Sequence, residues 1–167
     1  MTGDGRCNIT NDSTVVDTDN EAVALLRKYY SRQAEFTLPV LQQFGIGQTI
    51  DFFHVLGLPL TKLKEGLMYP MSLQAASVVD IFELALEELN IPVYLKNKVL
   101  DVTVSADHPR FKITCRTETE EQVVYTSEYL FLCTGVHTCQ NAGTDGSGYT
   151  IAQQMGHYLG EPVPALV

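Results

Sequence analysis

The chain has 167 residues, 45% hydrophobic and 19% charged, enough for one ordinary domain with a real core and with no tract long enough to imply disorder. Its formal charge of -9, from 11 Lys and Arg against 20 Asp and Glu, argues against a nucleic-acid partner, because affinity for phosphates rests largely on cations that displace condensed counterions. No run approaches the ~20 apolar residues that span a bilayer and no basic region leads into an apolar stretch, so no membrane partner and a cytoplasmic setting are expected. Cys7, Cys115, Cys133 and Cys139 form no Cys-x-x-Cys pair, so reduced thiols are expected.

The first stretch, TGDGRCNITN, is spaced by glycines and rich in Asn, which suits a loop that needs positive φ or close backbone approach. Thr18-Asp19 then offers a cap to EAVALLRKYYSRQAEF, where Ala22, Leu25, Leu26, Tyr29 and Tyr30 recur at helical spacing. A short helix is predicted over Leu38 to Phe44. Gly45 and Gly47 break the pattern before TIDFFHVLGL, in which Ile50, Phe53 and Leu56 or Gly57 share a face. In PLTKLKEGLMYP, two short runs flank Glu65-Gly66, the pattern of a hairpin with Gly at positive φ. Ser72 reads as the cap of LQAASVVDIFELALEELN, whose stripe of Ala75, Val78, Val79, Phe82, Ala85, Leu86 and Leu89 stops at Asn90 and Pro92.

From Val93 the period changes to two. VYLKNK reads as one extended strand, and VLDVTVSA, RFKITCRT and QVVYTS as a three-stranded antiparallel meander turning at Ala106 to Pro109 and Thr117 to Glu121. Tyr129 to Cys133 is apolar throughout, which predicts a strand buried on both faces inside a larger sheet, running into Thr134-Gly135. Gly143, Gly146 and Gly148 then lead into a helix from about Ser147. That glycine cluster is either a flexible connection or a helix N-terminus facing an anion.

GDGRCNITN, EGLMYPMSLQAASVV, the apolar strand ending in CTG, AGTDGSGYTIAQQMGH and PVPALV together resemble, in order, the middle segment of the BaiN-type family of NAD(P)/FAD-dependent oxidoreductases, flavoproteins related to the glutathione-reductase-like FAD fold. The resemblance implies a partial FAD/NAD(P)-binding Rossmann-like domain without its first βαβ unit, since no Gly-x-Gly-x-x-Gly precedes Gly3. The expected fold class is α+β: a helical cluster, a helix, an antiparallel meander and a glycine-rich strand-to-helix turn. Its expected parts are a cofactor-side loop at 1–17, a helical region with a hairpin at 18–70, a helix plus meander at 71–135, and a glycine-rich loop and helix at 136–167.

By that resemblance, Gly3, Gly5, Arg6, Cys7, Asn8 and Thr10 are flavin-side contacts. Gly3 and Gly5 would admit the backbone, Arg6 would supply donors to phosphate or a flavin carbonyl, and Asn8 can donate and accept. Read without it, Asn8 and Asn11 make local turns and Arg6 is solvated. Val99 stands where related folds contact adenine through the backbone, and Thr134, Gly135, Gly146 and Gly148 belong to the cofactor turn. Cys133 and Val136 replace an alanine and a second glycine of that turn, and Leu67 stands where the family has an arginine.

Other chemistry has less support. His54, His108, His137 and His157 are far apart, so no metal site is expected, and no Ser-His-Asp order or nucleophile elbow points to a hydrolase. Cys7 reads as a redox thiol near the flavin, Cys115 and Cys133 as small core residues. Tyr29, Tyr30, Phe52 and Phe53 either line a substrate pocket or fill a core. Two functions of different class result. One is a fragment of a flavin-dependent oxidoreductase, using FAD and NAD(P)H on a small organic substrate and inactive by itself. The other is a structural or interaction module left by truncation, self-associating through an exposed sheet.

Overall fold

The computed structural model describes residues 5–12, 34–135 and 145–161. Gly3, the helix predicted over 21–36 apart from its last three residues, Val136, His137, Cys139, Gly143 and PVPALV lie outside the described residues. The chain divides into two compact units, Met1–Val93 and Tyr94–Val167.

The first unit is built on β1 (Thr10–Asn11), β2 (Leu60–Lys62) and β3 (Leu67–Pro70), in antiparallel order β1-β3-β2. The hairpin is the predicted one: Leu60 faces Pro70 and Lys62 faces Met68, and a 3-10 turn over Lys64–Gly66 carries positive φ at both Glu65 (60°) and Gly66 (77°). Lys62 pairs at 2.6 Å with Asp12, joining the two strands that flank β3.

Around this sheet lie α1 (Leu38–Gln43), α2 (Ile46–Val55) and α3 (Ala75–Glu88). Pro39 at the first turn of α1 loses no bond, because that amide has no partner inside a helix. The end of α2 is set by Gly57, whose φ of 88° turns the chain back so that Gly57 N–H donates to His54 O (2.9 Å) and Leu58 N–H to Phe53 O (2.8 Å). Leu58 and Phe53, the two apolar residues joined by that turn, form the buried cluster with Val78, and Cys7, Ile9, Leu60 and Ile81 pack on it.

α3 ends in the same way. Asn90 sits at φ 54°, and Asn90 and Ile91 donate to Glu87 O (3.0 Å) and Leu86 O (2.9 Å). Its start corrects the sequence reading. Ser72 is not the cap: the chain turns tightly at Leu73 (φ 55°), which donates to Pro70 O at 2.8 Å, and the first helical amide, Ala75, is taken by Gly5 O at 2.7 Å. Ser72 Oγ instead meets Gln74 N (3.3 Å) and Ser77 Oγ (2.8 Å). Of the predicted stripe, Ala75 and Val78 are buried, while Phe82 and Leu89 remain exposed.

The second unit holds the meander of β4 (Lys98–Val104), β5 (Phe111–Arg116) and β6 (Gln122–Ser127), antiparallel in that order, with a register shift between Val99 and Asp101. Alternation puts Val102, Ile113 and Tyr125 in one cross-strand row. α4 (Ser147–Gln154) starts where the sequence predicts and contributes buried Ile151.

Two strand expectations fail. VYLKNK is not a strand: the chain turns at Leu95-Lys96, with Lys96 at φ 56°, and Tyr94 stacks on Tyr125 at 5.0 Å. Tyr129 to Cys133 has no regular secondary structure and joins no ladder among the described residues, and Tyr129 and Phe131 are 82% and 88% exposed. A strand exists only where a neighbour answers its amides and carbonyls, and none of the described strands does so here.

Candidate functional site

In the first unit, the loop Gly5 to Thr10 is held by the protein's own backbone. Ile9 N–H donates to Met68 O at 2.8 Å, and Asn8, with its amide nitrogen turned toward β3, donates to Met68 O (3.2 Å) and Thr10 O (3.0 Å). Thr10 pairs with Met68 in the sheet. Cys7 adopts φ 57°, a conformation that is costly for a residue with a Cβ, and its side chain packs on the Phe53 cluster. Burial pushes the Cys7 thiol up, which lowers its thiolate fraction and opposes the redox reading.

Gly5 and Arg6 face the other way. At Gly5 (φ 103°) a Cβ would meet nothing within 4 Å, so the backbone is open to approach. Arg6 is exposed, its Cζ 5.9 Å from the centre of the Tyr69 ring, and it has no carboxylate partner among the described residues. An open glycine beside an uncommitted guanidinium fits an anionic group with planar oxygens.

In the second unit, Thr134, Gly135, Gly146 and Gly148 are brought together. A Cβ at Gly148 would lie 1.9 Å from Thr134 Oγ1 and 3.1 Å from Thr134 Cβ, so only glycine lets this turn seat on α4. Gly135 (φ 73°) and Gly146 (φ 74°) both take the left-handed conformation. Val99 sits half-buried on β4 opposite Cys115.

The sequence reading missed the group beside this turn. Asp145 accepts from Ser147 N–H at 3.0 Å, and Lys98 Nζ reaches both the Asp145 carboxylate and Ser147 Oγ, the latter at 3.2 Å. The Lys98 hydrogen bond, with the Ser147 hydroxyl and amide, holds the Asp145 carboxyl far below the ordinary carboxylate range. The start of α4 therefore already faces a carboxylate of the protein itself. An Asp next to Gly-Ser at a predicted helix start was a readable cap signal; Lys98, 47 positions earlier, was not.

Of the remaining candidates, Cys115 is buried as expected but Cys133 is exposed, a correction that follows from the missing ladder around it. Phe52 and Phe53 join an aromatic cluster with Phe44 and Phe82, edge-to-face except for the tilted Phe52–Phe82 pair, at centroid distances of 5.3 to 6.3 Å; Phe53 is core and Phe52 is 42% exposed. An open groove of about 470 Å³ runs along Asp101 to Val104 and Gln154-Met155, and none of the site residues named from sequence lines it. No described helix is long and apolar enough to cross a membrane.

Residues 1–162 match the family described as HI0933-like protein Rossmann domain. The chain is also 36% identical over 166 residues to the 3-dehydro-bile acid delta(4,6)-reductase of Clostridium scindens (strain ATCC 35704 / DSM 5676 / VPI 13733 / 19), a match that covers 99% of this chain and 36% of that protein. The chain thus spans about a third of the length of the curated relative it matches. On these two matches, the chain belongs to the HI0933-like Rossmann-domain family, the BaiN-type flavoproteins.

Proposed function

We propose that this chain contributes part of the FAD-binding surface of a flavin-dependent oxidoreductase that acts on a small organic substrate with NAD(P)H as its electron partner. The observation that carries the reading is the open Gly5–Arg6 edge within a family match over residues 1–162. Bound FAD would supply the hydride chemistry; the protein supplies binding, orientation and charge. Gly5 admits the cofactor's backbone-side approach, and Arg6 neutralises its phosphates. Asn8 and Ile9 fix that loop to β3, and Gly148 holds the Thr134-Gly135 turn against α4. Within the second unit, taken by itself, Val99 and Gly146 are the further candidate contacts.

Because the relative is much longer than this chain, the chain is expected to purify colourless and to bind added FAD weakly. Flavin fluorescence titration should show weak saturable binding, reduced roughly tenfold in Arg6→Ala, the loss of one charge-assisted hydrogen bond, and partly restored in Arg6→Lys. Identical isotherms for the native chain and Arg6→Ala would remove Arg6 from the site. No binding of FAD at millimolar concentration would defeat the reading for this chain and favour the interaction module, to which the exposed Tyr129–Cys133 run also points.

A further inference from the structure

Arg6 is an exposed cation on a backbone that is fixed from both sides. Gly5 O accepts from Ala75 N–H at 2.7 Å, and Ile9 N–H donates to Met68 O at 2.8 Å. Between those two bonds the Arg6 side chain stands with Cζ 5.9 Å from the centre of the Tyr69 ring, within the ~6 Å over which an aromatic face attracts a cation. Tyr69 lies on β3, the central strand of its sheet, opposite Thr61 of β2. Along that strand the buried Met68 and Pro70 alternate with the half-buried Leu67 and Tyr69, so the core takes one face and the Tyr69 ring belongs to the other.

We propose that Tyr69 is a positioning residue: its ring holds the Arg6 guanidinium in place for the pyrophosphate of a dinucleotide cofactor while consuming none of the donors that the phosphate oxygens need. This rests on the cofactor reading above and adds the residue that orders its cation. A carboxylate in the same place would occupy two N–H groups of the guanidinium and cancel its charge. A ring face instead draws the cation through its quadrupole and leaves all five N–H donors, which lie in the guanidinium plane, to oxygen acceptors. A freely solvated arginine loses rotamer freedom when it binds; on Tyr69 part of that loss has been taken before the ligand arrives. The hydroxyl of Tyr69 has no part in this, so phenylalanine should serve equally well.

Two measurements on the full chain test the proposal. The first needs no ligand: ring current should displace the Arg6 Nε–H resonance in a proton–nitrogen spectrum, and the displacement should persist in Tyr69→Phe and vanish in Tyr69→Leu. Tyr69→Thr, which keeps strand propensity without a ring, should match Tyr69→Leu, and circular dichroism checks the fold of each. The second is titration with FAD and with inorganic pyrophosphate. Tyr69→Leu and Tyr69→Thr should weaken both ligands about two- to fivefold, the strength of an exposed cation–ring contact, and Tyr69→Phe should not. In an Arg6→Ala background the same ring-less substitutions should have no further effect. An Arg6 resonance indifferent to loss of the ring, native affinity in Tyr69→Leu, or an equal loss with and without Arg6 would overturn the positioning role alone, with flavin binding intact. A native chain that binds neither FAD nor pyrophosphate while the Arg6 resonance stays displaced would defeat the cofactor reading, and the positioning role with it.

Discussion

Gly148 and Thr134 touch so closely that the helix carrying one can be approached by the turn carrying the other only because position 148 has no side chain. Gly148→Ala should therefore destabilise the second unit by about 1–3 kcal/mol, the usual range for forcing an extra methyl into filled space. Urea unfolding monitored by Tyr fluorescence would measure it. Adding Thr134→Ala to Gly148→Ala should recover part of the loss, since it removes Oγ1; equal stability of the single and double variants would show that the contact is not the cause.

A second expectation concerns backbone conformation alone. At Gly57 a Cβ would meet only Ile81 Cδ1, at an ordinary 3.6 Å, yet φ is 88°. Gly57→Ala should cost about 1–2 kcal/mol from the left-handed conformation without any steric clash. Asn90, in the same role at the end of α3, should tolerate Asn90→Gly with little change and lose more with Asn90→Val, readable from the midpoints of thermal unfolding.

Asp145 makes stability depend on pH. Its folded-state carboxyl is depressed, so its contribution is present above the ordinary Asp value of about 3.9 and is lost as pH falls toward the folded-state value. Both partners of the Lys98–Asp145 pair are about half exposed, which keeps the effect small and sensitive to salt. Asp145→Asn and Lys98→Met should each flatten the acid limb of the stability curve below about pH 4. Unchanged limbs in both variants would show that the pair does not act in solution.

Thiol reactivity should follow burial. At low protein concentration and neutral pH, Cys133 should be alkylated first among Cys7, Cys115 and Cys133, because it is exposed. Cys7 and Cys115, whose thiols burial pushes up, should lag until denaturant is added. Peptide mass spectrometry would order them, and early labelling of Cys7 would contradict its packing on the Phe53 cluster.

What was legible in the sequence was local. The Glu65-Gly66 hairpin and the stop at Asn90 depend on residues within a turn of one another and formed as read, whereas the helix expected after Gly47 in TIDFFHVLGL starts earlier, at Ile46, with Gly47 inside it. What was not legible depends on partners far along the chain. Ser72 looked like a cap because capping is normally local, but the amide it would serve is met by Gly5. Asn8 looked like a turn former, yet its amide faces β3, some sixty positions on. Tyr129 to Cys133 shows the limit from the other side: its composition signals a need for neighbours but does not supply them.

The bond from Gly5 O to Ala75 N, together with the pairing of Thr10 to Met68, also sets an order of events during synthesis. Residues 5–11 emerge from the ribosome early, but every ladder partner they use is made about sixty to seventy residues later. At roughly 5–20 residues per second, this segment waits several seconds before the hairpin and the start of α3 exist to receive it. Residues 5–11 are therefore placed only once β2, β3 and the start of α3 exist, though before β4 to β6 are made, and until then Cys7 and Ile9 are open to chaperones and to wrong partners.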